Sequence, residues 1–182
     1  DPWVDAGSLF AGEDVVRKHN AVLVAGDKAV AAVVILNGDA YTVCVGVCTD
    51  NEVAVNLFCE LCAELKSRGY LLAVLSNKKN KFVQPIISEA FGEGYFDFVC
   101  GWDEVRPKKP KPTSLLDMLA ELGVEKENAW MIGDLPADYS VSVNAGINHV
   151  VADWGYGKKK KFIALGATVF AKKPIDLLTI LN

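Results

Sequence analysis

An α/β fold, with a parallel sheet covered by helices, is predicted by three features of this sequence. Short apolar runs, LLAVL at 71–75, AWMI at 129–132 and NHVVA at 148–152, alternate with longer stretches of helical periodicity from residue 52 onward. LLAVL and AWMI are apolar at every position instead of alternating, as strands covered on both faces are. The chain has 182 residues of which 51% are hydrophobic, enough for one sizeable core and too few for a long repeat array.

Each element follows in order. Ala21–Val24 and Ala29–Leu36 read as strands, and Asn37-Gly38-Asp39 as a tight hairpin turn or a strand end facing a site. Thr49-x-x-Glu52 has capping-box form and opens a helix running to about Arg68, with Gly69 as its C-cap. The LLAVL strand leads into a helix over 79–90, a short strand over 96–100 and a helix over 114–122 that Gly123 ends. AWMI is the next strand, Val141–Ala145 lies in a helix, and NHVVA is a further strand. Helices over 158–165 and 175–181 flank a last extended piece at 168–170. No linker interrupts this order, so residues 1–182 read as one domain, with a divergent part over 1–50 and a regular core over 51–182.

Composition narrows the function. Lysine and arginine total 19 against 23 aspartate and glutamate, a net charge of −4, so there is no general field for nucleic acid or an anionic membrane. The clusters Lys158–Lys161 and Lys108-Lys109-Pro110-Lys111 read as a solvated helix start and as one functional lysine with its neighbours. The longest apolar run, Ala29–Leu36, is far short of the roughly 20 residues that cross a bilayer. Five cysteines fit a reducing compartment, and a cytoplasmic protein is expected. Cys59-x-x-Cys62, with Cys44 and Cys48, has zinc-ligand spacing, but Leu57, Leu61 and Leu65 recur around it, which favours small apolar core residues over a zinc-stabilised interaction domain. His149 beside a strand reads as structural, and Trp154-Gly155-Tyr156 suits packing and substrate contact equally. The chain opens at Asp1 without a methionine, as a processed product or an excised segment would.

Polar residues stand directly after the strands. Ser76-Asn77 follows LLAVL, Gly133-Asp134 follows AWMI with Asp138 four residues on, and Lys109-Pro110-Lys111-Pro112 follows the strand near Phe98. In a parallel sheet these converge on the carboxyl edge, where ligands bind. A hydroxyl and an ammonium suit phosphoryl oxygens, and paired carboxylates suit Mg²⁺. Taken one at a time, Ser76 could be a helix cap, the two aspartates turn residues and Lys109 a surface charge.

From about residue 51 to 182 the sequence resembles the haloacid dehalogenase superfamily of phosphohydrolases, and within it the phosphoglycolate phosphatases. The resemblance rests on LLAVLSNKK, KPKP before a helix, MIGDLPADYSVSVNAGI and the trailing WGYG with ALGA, in that order. It implies a three-layer, Rossmann-like sheet and hydrolysis of a phosphate monoester with Mg²⁺. Ser76 would bond a phosphoryl oxygen and Asn77 would shape its loop and contact substrate. Lys109 would neutralise the nucleophile and phosphoryl group, and Asp134, Asp138 and Asp39 would hold Mg²⁺. The implied partner is a small phosphorylated substrate or a phosphorylated macromolecule, with an oligomer left open.

The family's Asp-x-Asp-Gly-Thr string, whose first aspartate attacks phosphorus, does not occur in the sequence. In one register Asn37 takes the nucleophile position and Asp39 the acid–base position; in another Ala25 and Asp27 do, and the NGD segment is a hairpin flap. In a third the string precedes Asp1. No large cap fits between either candidate and Ser76, which implies an open site. A catalytically silent phosphate-binding or protein-interaction module is the alternative function.

Overall fold

The computed structural model describes residues 32–37, 42–43 and 52–181. Their strands form one sheet, because the apolar runs expected from the sequence pair side by side. These are β1 (Ala32–Asn37), β2 (Thr42–Val43), β3 (Tyr70–Lys79), β4 (Phe98–Trp102), β5 (Trp130–Gly133), β6 (Asn148–Ala152) and β7 (Phe170–Ala171). The main path runs β2-β3-β1-β5-β6-β7, and β4 lies beside β3. The principal helices are α1 (Glu52–Ser67), α2 (Asn80–Phe91), α3 (Thr113–Leu122), α4 (Pro136–Ala145), α5 (Lys159–Ala164) and α6 (Leu177–Ile180).

Burial explains why β3 sits centrally. Leu72, Ala73 and Val74 are successive strand residues and none is exposed, so both faces of the sheet are covered there. α3 contributes Leu115, Met118 and Leu119, buried at helical spacing, while Leu61, Cys62 and Leu65 of α1 join the same core. The burial of Cys62 agrees with a core role; Cys44 and Cys48 lie outside the described residues. Two bonds bind distant segments to β3: Tyr70 Oη donates to the Leu181 carbonyl (3.0 Å), and Asp97 Oδ2 accepts the Leu72 N–H (2.7 Å).

Strands β3, β4, β5, β6 and β7 run parallel, as expected. β1 does not. It lies between β3 and β5 and is antiparallel to both, with Ala32 opposite Leu75 and Asn37 opposite Tyr70. The sequence of β1, AVVILN, is apolar enough for a central position, and backbone pairing satisfies its polar groups in either direction. Periodicity marks a strand but carries no sign of its polarity. Ala21–Val24, Ala25, Asp27 and the turn with Asp39 lie outside the described residues.

Because Leu72 is completely enclosed, Leu72→Ala is expected to lower unfolding stability by about 2–5 kcal/mol. Urea unfolding should show a lower midpoint at an unchanged m-value.

Candidate active site

β3, β4 and β5 end on the same side of the sheet, and their ends bring Ser76, Lys109, Asp134 and Asp138 to one edge. Lys109 comes from the loop after β4, yet it is fixed by β3. Asn77 Oδ1 accepts the Lys109 N–H (2.7 Å) and Asn77 Nδ2 donates to the Lys109 carbonyl (3.1 Å). Both ends of the Asn77 amide grip the backbone of Lys109, so Asn77 positions the lysine, and its second N–H is left over.

The Lys109 side chain reaches inward. Its Nζ donates to the Leu75 carbonyl (2.8 Å) and pairs with Asp138 Oδ1 (2.7 Å). Lys109 is 9% exposed and Asp138 is 4% exposed, so this pair is held away from water. An ammonium carries three donors, which leaves one for a ligand. Ser76 Oγ accepts the Lys78 N–H (3.1 Å), so its own proton is available for donation.

The two aspartates have different duties. Asp138 Oδ2 accepts the Leu135 N–H (3.0 Å) at the start of α4, and its other oxygen holds Lys109. It orients the lysine and caps the helix, in place of the free metal-ligand oxygen expected from the sequence. Asp134 Oδ2 accepts the Tyr156 N–H (2.9 Å). Burial pushes the Asp134 carboxyl above its ordinary value, the Tyr156 N–H pulls it back, and the nearby Asp138 charge adds to the rise. Two buried carboxylates face one buried ammonium, an excess of one negative charge that a cation would offset. Mg²⁺ fits this donor chemistry, since it binds through one or two carboxylates and completes its shell with water and phosphate oxygen. No cluster of three or more acidic, histidine or cysteine ligands occurs among the described residues.

Backbone contact keeps both carboxylates in place. A Cβ on Gly155 would lie 2.1 Å from Asp134 Cβ, and one on Gly133 would lie 2.2 Å from Asp138 Cβ. Trp154-Gly155-Tyr156 thus acts through main chain and lack of bulk, a role side-chain reasoning does not reveal. The Leu75 carbonyl under Lys109 likewise has no signature in residue type. Asn37 is not brought here: paired with Tyr70, it lies at the amino end of β3, about 20 Å along the strand from Ser76. That corrects its expected nucleophile position. Asp39 lies outside the described residues.

The carboxyl edge of the parallel sheet thus carries a serine, a lysine and two aspartates at the positions where α/β folds bind ligands. The model of the haloacid dehalogenase-like hydrolase family matches residues 54–152, and the chain belongs to that family. It is similar to the phosphoglycolate phosphatase of Aquifex aeolicus, 37% identical over 118 residues, covering 65% of this chain and 54% of that protein. Phosphoglycolate phosphatase 1 of Pseudomonas aeruginosa is 30% identical over 114 residues, covering 63% and 42%. The chain spans about half the length of these curated relatives. A candidate phosphoglycolate phosphatase from Lactobacillus delbrueckii subsp. bulgaricus superposes with a TM-score of 0.63 at 31% identity, covering 67% of this chain and 51% of that one. A haloacid dehalogenase-like family protein from Streptococcus pneumoniae, at 21% identity and a TM-score of 0.62 over 70% of this chain and 63% of its own, shares the fold.

Removing one charge at a time should have opposite effects. Asp138→Asn leaves Lys109 buried without its counter-charge and is expected to cost about 3–5 kcal/mol in urea unfolding. The charge on Asp134 opposes folding: below the ordinary value of 3.8 both states hold the proton, and the penalty is complete once pH exceeds the raised folded value. Asp134→Asn should therefore raise the melting temperature at neutral pH, and the gain should vanish below the ordinary aspartate range in a pH series.

Proposed function

We propose that this chain carries the phosphate-holding machinery of a Mg²⁺-dependent phosphomonoester hydrolase of the phosphoglycolate phosphatase kind, acting on small phosphorylated substrates. The observation that supports this most is the enclosed Lys109–Asp138 pair beside Ser76 and Asp134 at the carboxyl edge of the sheet. The Ser76 hydroxyl donates to one phosphoryl oxygen. The remaining Lys109 proton meets another, where a preorganised ammonium offsets the charge on the phosphoryl group. Asn77 and Asp138 keep Lys109 in place, so it need not reorganise during the reaction. Asp134 would hold Mg²⁺, which supplies Lewis-acid neutralisation of the phosphate when bound. Among the described residues no helix is long and apolar enough to cross a membrane, and the short apolar runs and five cysteines of the sequence support a reducing, cytoplasmic setting.

A second reading, a phosphate-binding module without turnover, is favoured by the placement of Asn37 at the far end of β1. It predicts phosphate affinity with no hydrolysis. The two readings separate in one assay of Mg²⁺-dependent phosphate release from an aryl phosphate, run beside calorimetric binding of inorganic phosphate. Release that Lys109→Met lowers by about a hundredfold or more supports the hydrolase. Binding without release supports the module, and absence of both refutes each.

Asn37→Asp is expected to change neither turnover nor Mg²⁺ affinity, because the new carboxylate would sit at the opposite end of the sheet from Ser76. Mg²⁺ is expected to raise the melting temperature of the unaltered chain and not that of Asp134→Asn, as scanning calorimetry would read.

A further inference from the structure

Beside the phosphate site the structure gathers more positive charge than one phosphoryl group needs. Asn77 stitches the end of β3 to the loop after β4. This ties the strand end that carries Lys78 and Lys79 to the loop that carries Lys108, Lys109 and Lys111, in a protein of net charge −4. Lys109, in their midst, is already committed to Asp138 and the Leu75 carbonyl. The two runs meet at Trp102: Lys79 Nζ lies 5.4 Å from the indole and Lys108 Nζ 4.4 Å from it. Two ammonium groups are thus drawn to one ring. The ring borders a cavity of about 300 Å³ lined by Lys79, Asn80, Lys81, Trp102, Asp103 and Glu104.

The carboxylates of that wall do not cancel the charge equally. Asp103 Oδ1 accepts the N–H groups of Val105 (3.0 Å) and Arg106 (2.7 Å), so it is occupied in holding its own turn, and Glu104 is exposed. Asn80 Oδ1 accepts the Gly101 N–H (2.9 Å), which fixes the floor between β4 and α2. An anion entering the cavity at the Trp102 ring would gain charge-assisted hydrogen bonds from the lysines gathered on it.

We infer that this cavity is a leaving-group subsite in which Lys79 and Lys108, arrayed on Trp102, take a second anionic group of the substrate. The inference rests on the phosphate-site reading above. Lys79 follows Ser76 by three residues, across the irregularity of β3 between Leu75 and Lys79, so the second anion stands beside the phosphoryl group on the same leaving group. Its chemistry is a carboxylate or a second phosphate.

Three non-hydrolysable probes test this with the chain as it exists, by calorimetry in the presence of Mg²⁺ at low ionic strength: methylphosphonate, 4-phosphonobutyrate and butane-1,4-diphosphonate. A gain of about tenfold or more over methylphosphonate is expected for the doubly anionic probes. A gain shared by both points to a carboxylate or a phosphate alike, and one confined to the diphosphonate points to a second phosphate. Lys79→Gln with Lys108→Gln should erase the gain without altering methylphosphonate affinity, and Lys108→Glu should do so alone; circular dichroism establishes that the variants fold. Added salt should shrink the gain. Equal affinity for all three probes, or a gain that survives both variants, overturns the subsite while leaving the phosphate site standing. Failure of methylphosphonate itself to bind refutes the phosphate-site reading and the subsite together.

Discussion

The enclosed ion pair between Lys109 and Asp138 is the constraint around which the site is organised. Two opposite charges removed from water gain little net stability, because desolvation offsets their attraction. What the pair provides is a defined position. Asp138 can hold Lys109 only because α4 begins at Leu135, and Lys109 can reach it only because Asn77 grips the lysine's backbone. Three separate strand ends are therefore tied through one ammonium group. The rest of the carboxyl edge inherits its geometry from that connection.

The second carboxylate shows the cost of such placement. Asp134 lies where burial disfavours its charge, and one main-chain N–H compensates in part. The protein maintains this by eliminating bulk: Gly133 and Gly155 let backbone approach the two aspartates more closely than any side chain would permit. Chemistry here is thus written twice, once in polar residues and once in missing Cβ atoms.

Much of this was legible in sequence. The strand NHVVA occupies 148–152, as its apolar character and the preceding glycine indicate, and Ser76 in the last part of β3, Lys109 in the loop after β4 and Asp134 directly after β5 stand together because the carboxyl ends of parallel strands share one edge. What could not be read were properties that depend on long-range partners. The polarity of β1 is set by which neighbours it meets, and AVVILN pairs equally well either way, so Asn37 was expected at the wrong end. Asp138 was expected on a metal because a carboxylate's residue type does not say which cation it will meet. Lys79 and Lys108, separated by 29 positions, come to share the Trp102 ring only through the fold. Most strand and helix boundaries shift by a residue or two for the ordinary reason that element ends fray, while β3 runs four residues beyond Leu75.

The reversed strand at the centre has a kinetic meaning. Among the described strands, β2, β3 and β4 on one side and β5, β6 and β7 on the other meet in the ladder only through β1. Each side is a set of local β–α–β units that can form early. Joining them requires a six-residue strand to find Leu72 and then Trp130, the latter 95 positions beyond Ile35. Closure over such separations costs more chain entropy than pairing within either half, so the contact of β1 with β5 is the slow step in assembling the sheet.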